Sequence, residues 1–331
     1  LVGMFDSASA FNQDINAWST SRVTTMQMMF DRFKAVEDGE DVRALILDCC
    51  AGASDGGPAR GRIARYARGR DYHDVLRRRL KVLASAIQES APEASTRAVV
   101  DTAPMMEREH AIRAGLGSIG KNTLLIRRGE GSWLLLGEVL TTLELEPEPE
   151  DVTIDRKSRR DPCGTCTRCV DACPTDAITP FSVDASRCLS YTTIEHRGPI
   201  DRSLHRATGD WLFGCDVCQE VCPHNHHPRR SEPLPVLEDY APRRGGFDLL
   251  EVLDWTESDR REAFITSSMK RAKLEMFRRN AVICAGNALA DREEPELLRR
   301  LQEISLDPNE SEMVRRTASE VLEDLDASES S

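Results

Sequence analysis

Cys163-Gly164-Thr165-Cys166-Thr167-Arg168-Cys169-Val170-Asp171-Ala172-Cys173-Pro174 is the stretch that decides the reading of this chain. Its Cys-x2-Cys-x2-Cys-x3-Cys-Pro spacing is that of a bacterial two-cluster ferredoxin loop, in which the fourth cysteine serves the other cluster. A tight loop can wrap three thiolates around one cube, while the next residue has already entered a helix that faces away. The second cube then needs three more thiolates and the first needs one. Cys215-x2-Cys218-x3-Cys222-Pro223 supplies three, and Cys188, between the two runs, supplies the last. The spacing assigns Cys163, Cys166, Cys169 and Cys222 to one [4Fe–4S] cluster, and Cys173, Cys188, Cys215 and Cys218 to a second. Zinc also accepts four-cysteine sites, but zinc ribbons do not need the linked run ending in proline. Cys49, Cys50 and Cys284 fall outside both sets and read as small buried residues.

Working outward, composition narrows the classes. The chain has 331 residues, 40% of them hydrophobic and 30% charged, which is enough for two or three small domains with real cores. A net charge of −12 argues against a general nucleic-acid coat. The charge is unevenly spread: between Arg60 and Lys81 the bases outnumber the acids Asp71 and Asp74, leaving room for a local polyanion site. No eighteen-residue apolar run and no basic-then-apolar leader are visible, so a cytoplasmic protein with no membrane partner is expected, monomer being the default.

Upstream of the cysteines the pattern is α/β. Val42–Leu47 reads as a buried strand, Ala51–Gly57 as a glycine-rich loop and Tyr72–Ser90 as a helix with Leu76, Leu80, Leu83 and Ile87 on one face. Ala98–Val100 reads as a strand ending at Asp101, and Met105–Ala114 as a helix. Thr123–Ile126 and Trp133–Leu140 read as a hairpin-like pair. Gly115-Leu116-Gly117-Ser118-Ile119-Gly120 formally matches a dinucleotide fingerprint, but a helix precedes it and a strand follows, the reverse of what that site requires. Those glycines read better as a helix cap and close packing. Downstream, a proline-rich linker (Pro228 to Pro242) leads to a segment, 247–326, expected to be helical throughout. Within it, Met276–Leu289, Pro295–Leu306 and Met313–Leu325 look like HEAT-type helical repeats.

Residues 1–30 differ from everything that follows. Met4-Phe5-Asp6 recurs as Met29-Phe30-Asp31, with Phe11-Asn12-Gln13-Asp14 and Trp18 between them. This resembles one unit of the BspA-type leucine-rich-repeat-like surface proteins. One unit cannot bury its own apolar face, so the segment reads as a fusion scar, a gene-model artefact or a fragment end.

Several motifs, in order, resemble epoxyqueuosine reductases. They are Arg65-Tyr66-Ala67-Arg68-Gly69-Arg70-Asp71-Tyr72-His73, Val100-Asp101-Thr102-Ala103-Pro104, and Arg113 through Ile126. Gly131-Ser132-Trp133, the double cysteine run, Leu189-Ser190-Tyr191-Thr192-Thr193-Ile194-Glu195 and Gly214-Cys215-Asp216-Val217-Cys218-Gln219 complete the set. The resemblance covers roughly residues 42–325. It implies an α/β cobalamin-binding domain (41–155, N-terminally incomplete), a ferredoxin-like double-cluster domain (156–227) and C-terminal HEAT-like α-helical repeats (247–326). It further implies reduction of epoxyqueuosine to queuosine at the wobble position of tRNA, using cobalamin fed by two [4Fe–4S] clusters and a flavodoxin or ferredoxin donor.

By the same resemblance Asp101 is the proton donor, a role that suits a carboxyl group whose pKa desolvation raises. Without it, Asp101 would read as a strand-end residue capping the next helix. Ala64, Arg65, Asp101, Lys121, Asn122, Thr123 and Ser190 are the implied cobalamin neighbours. The basic 60–81 stretch, with Arg271, Arg278 and Arg279, is the candidate phosphate surface. The N-terminal departure, together with Cys49-Cys50-Ala51-Gly52, sets this chain apart from the family. Two other classes compete, a dehalogenase-like corrinoid reductase and a non-catalytic electron-transfer protein.

Overall fold

The computed structural model describes residues 57–144, 161–226 and 238–329. The expected strand Val42–Leu47, Cys49, Cys50 and the repeat-like segment lie outside the described residues. Nine short strands are described: β1 (Arg60–Ile63), β2 (Thr96–Val99), β3 (Ser118–Ile119), β4 (Leu125–Ile126), β5 (Glu138–Thr141), β6 (Ile178–Thr179), β7 (Ser182–Val183), β8 (Trp211–Phe213) and β9 (Gly246–Asp248). The α-helices are α1 (Tyr72–Ser90), α2 (Glu107–Arg113), α3 (Arg168–Asp171), α4 (Leu189–Ile194), α5 (His205–Thr208), α6 (Val217–Glu220), α7 (Leu249–Asp254), α8 (Glu257–Ala263), α9 (Leu274–Asp291), α10 (Pro295–Leu306) and α11 (Glu312–Glu329).

The central sheet has the order β8-β1-β9, and it takes β1 from a stretch that looks like a basic surface in the sequence. Period-two alternation accounts for this. Gly61 and Ile63 are buried, while Arg62 lies over the Trp211 ring at 4.1 Å and bonds Asp210 at 2.8 Å. β1 runs parallel to β8 (Arg62 opposite Trp211, Ile63 opposite Phe213) and antiparallel to β9 (Gly61 opposite Phe247). The strands come from all three expected segments, so those boundaries are not cuts between separate cores. One apolar cluster runs from Ile63 and Phe213 through Phe247 and Trp255 to Phe277, Leu301 and Val314. Full burial of each such large side chain contributes about 1.5–3 kcal/mol.

Helix α1 begins where Asp71 accepts the His73 N–H, and it buries Val75, Leu80 and Leu83 against Val100, Val139 and Tyr240. The expected hairpin between 123–126 and 133–140 does not form. β4 pairs with β3 instead, and β5 pairs with β2. Tertiary partners take the intervening loop: Asn225 Oδ1 accepts the Ser132 N–H at 2.7 Å, and the Ser132 hydroxyl bonds Gln219. At the C-terminus, α9 packs against β8, α7 and α11, and α10 against α11. The segment from 247 is not helical throughout, since β9 extends into its first residues.

Candidate functional site

The cysteines hang on loops held by short elements. Cys169 lies in α3, Cys218 in α6, and Cys188 and Cys222 stand immediately before α4 and the 3-10 turn Pro223–Asn225. Cys215 follows Gly214, whose φ of +75° and close approach to Ala64 leave no place for a side chain. None of the nine described cysteines forms a disulfide. The thiols gather in two neighbourhoods. Burial and then the charges of Cys163, Cys222 and Cys166 push the Cys169 thiol up. Burial likewise pushes Cys215 up to about 12, with Asp216, Cys188 and Cys173 adding to it. Cys218 is raised by burial and then by Cys215, Cys188 and Asp216, and it also feels Cys169 across the packed pair α3 and α6. Among the described residues no three His, Cys, Asp or Glu side chains close on a single metal ion. Cys284 is buried in the core, away from both sets.

Beside the second set, Asp216 is 2% exposed and accepts the Arg65 N–H at 2.7 Å. Burial pushes its carboxyl up to about 6, against that hydrogen bond. The Arg65 guanidinium lies 4.3 Å above the Trp133 ring. Ala64 and Arg65 thus follow the carboxyl end of β1, next to the carboxyl end of its parallel neighbour β8, the place where α/β sheets bind ligands. Ser190 is half-buried in the first turn of α4. Lys121 and Asn122 are committed to the cysteine loops. The Lys121 ammonium donates to the carbonyls of Gly164 at 2.7 Å and Cys166 at 3.0 Å, and the Asn122 amide donates to the Cys218 carbonyl at 3.4 Å. Thr123 has φ +64° and accepts from Arg108 through its carbonyl.

Asp101 lies two residues beyond β2 with φ +48°, a left-handed conformation uncommon for a residue with a side chain. It caps no helix: α2 begins at Glu107, preceded by Met106. Its Oδ2 instead accepts from the Tyr72 hydroxyl at 2.5 Å and lies 3.1 Å from His73 Nε2. His73 Nδ1 is 2.7 Å from Asp71 Oδ1, and Lys270 reaches the other Asp71 oxygen at 2.8 Å. The Tyr72 and His73 rings stack with centroids 4.0 Å apart.

The electrostatics correct the expectation of an acid raised by desolvation. The hydrogen bond from His73 holds Asp101 below the usual carboxylate range, outweighing burial, and Tyr72 adds to the effect. Burial opposes a charge on His73, but its bonds to Asp101 and Asp71 push it up to about 9. A histidine with a carboxylate on each ring nitrogen donates from both, so it is an imidazolium at neutral pH. Sequence reading quoted Tyr72 and His73 inside a motif without singling them out. The available clue was Asp71-x-His73 at a helix start, a pairing that aims the ring back along the cap. Tyr66 is half-buried, and burial of its hydroxyl, followed by the charges of Asp101, Asp216 and Glu195, pushes it well above the usual phenol range, so Asp101 and Asp216 both act on it.

The candidate phosphate surface is largely spent. Arg279 is fully buried, and Arg278 is paired with Glu310. Arg271 pairs with Glu195 at 2.8 Å, and Arg70 pairs with Asp239. Arg68 is buried and donates to the Ile63 carbonyl. Arg78 and Lys81 stand exposed on α1.

Comparisons with known proteins agree with this arrangement. Residues 162–225 match a 4Fe-4S double cluster binding domain, and residues 48–102 match the epoxyqueuosine reductase QueG family. Residues 1–42 match a separate family, a Mycoplasma protein of unknown function, so the foreign segment extends beyond residue 30. An epoxyqueuosine reductase from Synechocystis sp. is 44% identical over 233 residues, covering 68% of this chain and 76% of that protein. One from Xanthomonas campestris pv. campestris is 42% identical over 233 residues, 69% of this chain and 62% of that protein. The crystal structure of an epoxyqueuosine reductase with an epoxyqueuosine-modified tRNA-Tyr stem loop superposes with a TM-score of 0.73 at 28% identity, over 85% of this chain and 71% of that one. The Streptococcus thermophilus enzyme gives 0.71 at 31% identity, with the same coverage. With two thiol sets, the Asp101–His73 pair and these relatives, the chain belongs to the epoxyqueuosine reductase family.

Proposed function

We propose that this chain reduces epoxyqueuosine to queuosine in tRNA, with Asp101 delivering a proton drawn from His73. The net change is two electrons and two protons added, the epoxide oxygen leaving as water and an alkene remaining. The observation that carries the reading is the Asp71–His73–Asp101 chain, open to solvent at Asp101 (47% side-chain exposure), with Tyr66 under the influence of both Asp101 and Asp216.

The two thiol neighbourhoods suit two cubane clusters, with Cys163, Cys166, Cys169 and Cys222 on the first and Cys173, Cys188, Cys215 and Cys218 on the second. The contact between α3 and α6, and the influence of Cys169 on Cys218, support one set feeding the other. A cobalamin, when bound, supplies the two-electron chemistry at its cobalt. Asp101, Glu195 and Arg271 all act on Tyr66, the residue after Arg65, and such polar groups suit the cobalamin's amide-fringed edge, with Ala64, Arg65, Thr123 and Ser190 as the proposed contacts. Lys121 and Asn122 are not in that group, because their side chains already serve the cysteine loops.

The protein's own part is proton handling. His73 Nε2 stores a proton 3.1 Å from Asp101 Oδ2, and the low-pKa carboxylate passes it to an oxygen that becomes strongly basic only as its bond to carbon breaks. The Tyr72 hydroxyl keeps Oδ2 in place meanwhile. The exposed Arg78 and Lys81 on α1 offer phosphate contacts for the tRNA, and the C-terminal helices serve as a HEAT-like platform. A small flavodoxin or ferredoxin is the fitting electron donor.

The test is anaerobic reconstitution with iron, sulfide and cobalamin, followed by turnover on an epoxyqueuosine-containing stem loop. About eight irons per chain are expected for two cubanes, together with retained cobalt and formation of queuosine. Full iron with no cobalt and no product would overturn the reading in favour of an electron carrier.

A further inference from the structure

The turn between β3 and β4 makes contacts that proton transfer and substrate binding do not require. Gly120 donates to the Leu124 carbonyl and Thr123 to that of Gly120, closing the turn. A side chain on Gly117 would meet the Ile126 carbonyl oxygen at 2.5 Å, and one on Gly120 the Ile126 side chain at 2.5 Å, so this segment lies hard against β4. The dinucleotide-like glycine pattern is therefore a packing device, and what it delivers is Lys121.

Lys121 is 9% exposed. Its backbone N–H donates to Cys163 Sγ at 3.3 Å, and its ammonium donates to the carbonyls of Gly164 and Cys166 on the same loop. Among the described residues no carboxylate lies within ion-pair distance of that ammonium. A buried cation without a counter-charge is costly, and here its charge sits against the carbonyls of the loop that carries Cys163 and Cys166. Asn122, the next residue, reaches the Cys218 carbonyl of the other set. One tight turn thus touches both cysteine loops, and it is positively charged on one side only.

We infer that Lys121 is a positioning residue for the first cluster, fixing the Cys163–Cys166 loop and holding that cluster's reduction potential above its value without the charge. The inference rests on the ligand grouping proposed above. Reduction adds an electron to the cluster, and a fixed cation beside it stabilises the reduced form. Charge and hydrogen bonds to the sulfurs are among the quantities that set such potentials. The effect makes the first cluster the readier acceptor and leaves the second, beside Asp216, the stronger reductant.

The experiment is a potentiometric titration of the full chain, reconstituted anaerobically and followed by electron paramagnetic resonance, with neither cobalamin nor tRNA present. Wild type should bind about eight irons and show two midpoints. Lys121→Gln keeps a donor but removes the charge; it should move one midpoint to a more negative potential and leave the other in place. Lys121→Arg should restore the wild-type value. If Lys121→Gln keeps only half the iron while Lys121→Arg keeps all of it, the charge is needed to retain that cluster and the inference stands. Unchanged midpoints in Lys121→Gln at full iron content would overturn it. A wild-type chain without two reducible clusters would instead refute the grouping, a result separable from failure of the lysine's role.

Discussion

Arg279 and the Asp101–His73 pair are both charged groups drawn partly out of water, and the molecule satisfies them in opposite ways. Arg279 is 0% exposed and spends all five N–H donors: on the carbonyls of Thr192, His196 and Gly198, and twice on the Asn280 side chain. Burial pushes its pKa down to about 10. No capacity is left over, and the result is a clamp on the carboxyl end of α4, whose amino end follows Cys188. Asp101, in contrast, is half-exposed, has a left-handed backbone and leaves acceptor positions open. Closure marks the structural charge, and the unfinished, strained arrangement is what the proposed proton donor requires.

Substitutions at the two places should separate along that line. Asp101→Asn should lower turnover by about 10²–10⁴-fold, the range for losing a positioned acid. Its iron content should stay at wild type and its unfolding midpoint at neutral pH should fall only modestly, His73 keeping Asp71 as a partner; a single-turnover assay run beside anaerobic denaturation checks both. Arg279→Met should reverse the pattern. It leaves three carbonyls and the Asn280 oxygen without donors and should cost about 3 kcal/mol of stability, read as a lower denaturant midpoint in the reconstituted chain. A stable Arg279→Met protein would break the comparison.

His73→Gln should cost less activity than Asp101→Asn and change its pH dependence. Because the folded pKa of His73 is raised to about 9, its proton is present below that value and lost above it. Wild-type turnover should fall as pH rises through about 9, and this limb should be absent in the variant. The same shift contributes stability that is full below pH 6.5 and disappears as pH rises through about 9. The smallest effect is expected from Gly214→Ala. There φ is +75° and the new methyl would sit 2.5 Å from the Ala64 side chain. A cost of about 1–2 kcal/mol is expected from the backbone alone, measured as a lower unfolding midpoint.

The legibility of the two places in the sequence differed for a physical reason. Ligand spacing is local, so Cys163 through Cys173 could be read as a cluster run from the chain alone. Asp101 was visible only through its motif, and its hydrogen-bonded state depends on His73, 28 residues earlier. Arg279 was misread as a phosphate contact because charge was visible and burial was not. Its place between the apolar residues Met276-Phe277 and Ala281–Ala285 of one helix was the overlooked clue. β1 was hidden for the same reason: its arginines suggest a surface, while its partners come from distant parts of the chain. Tyr72–Ser90 and Pro295–Leu306, whose signals are periodic and local, match the observed helices residue for residue.

The three-stranded sheet also has a history in time. Its outer pairing joins Arg60 to a residue 186 positions later. At about 5–20 residues per second, a ribosome takes on the order of 10–40 s to make β9 after β1 has emerged, and β1 waits with an open edge throughout. Every cysteine of both sets is synthesised within that interval, before the last strand exists to seal β1.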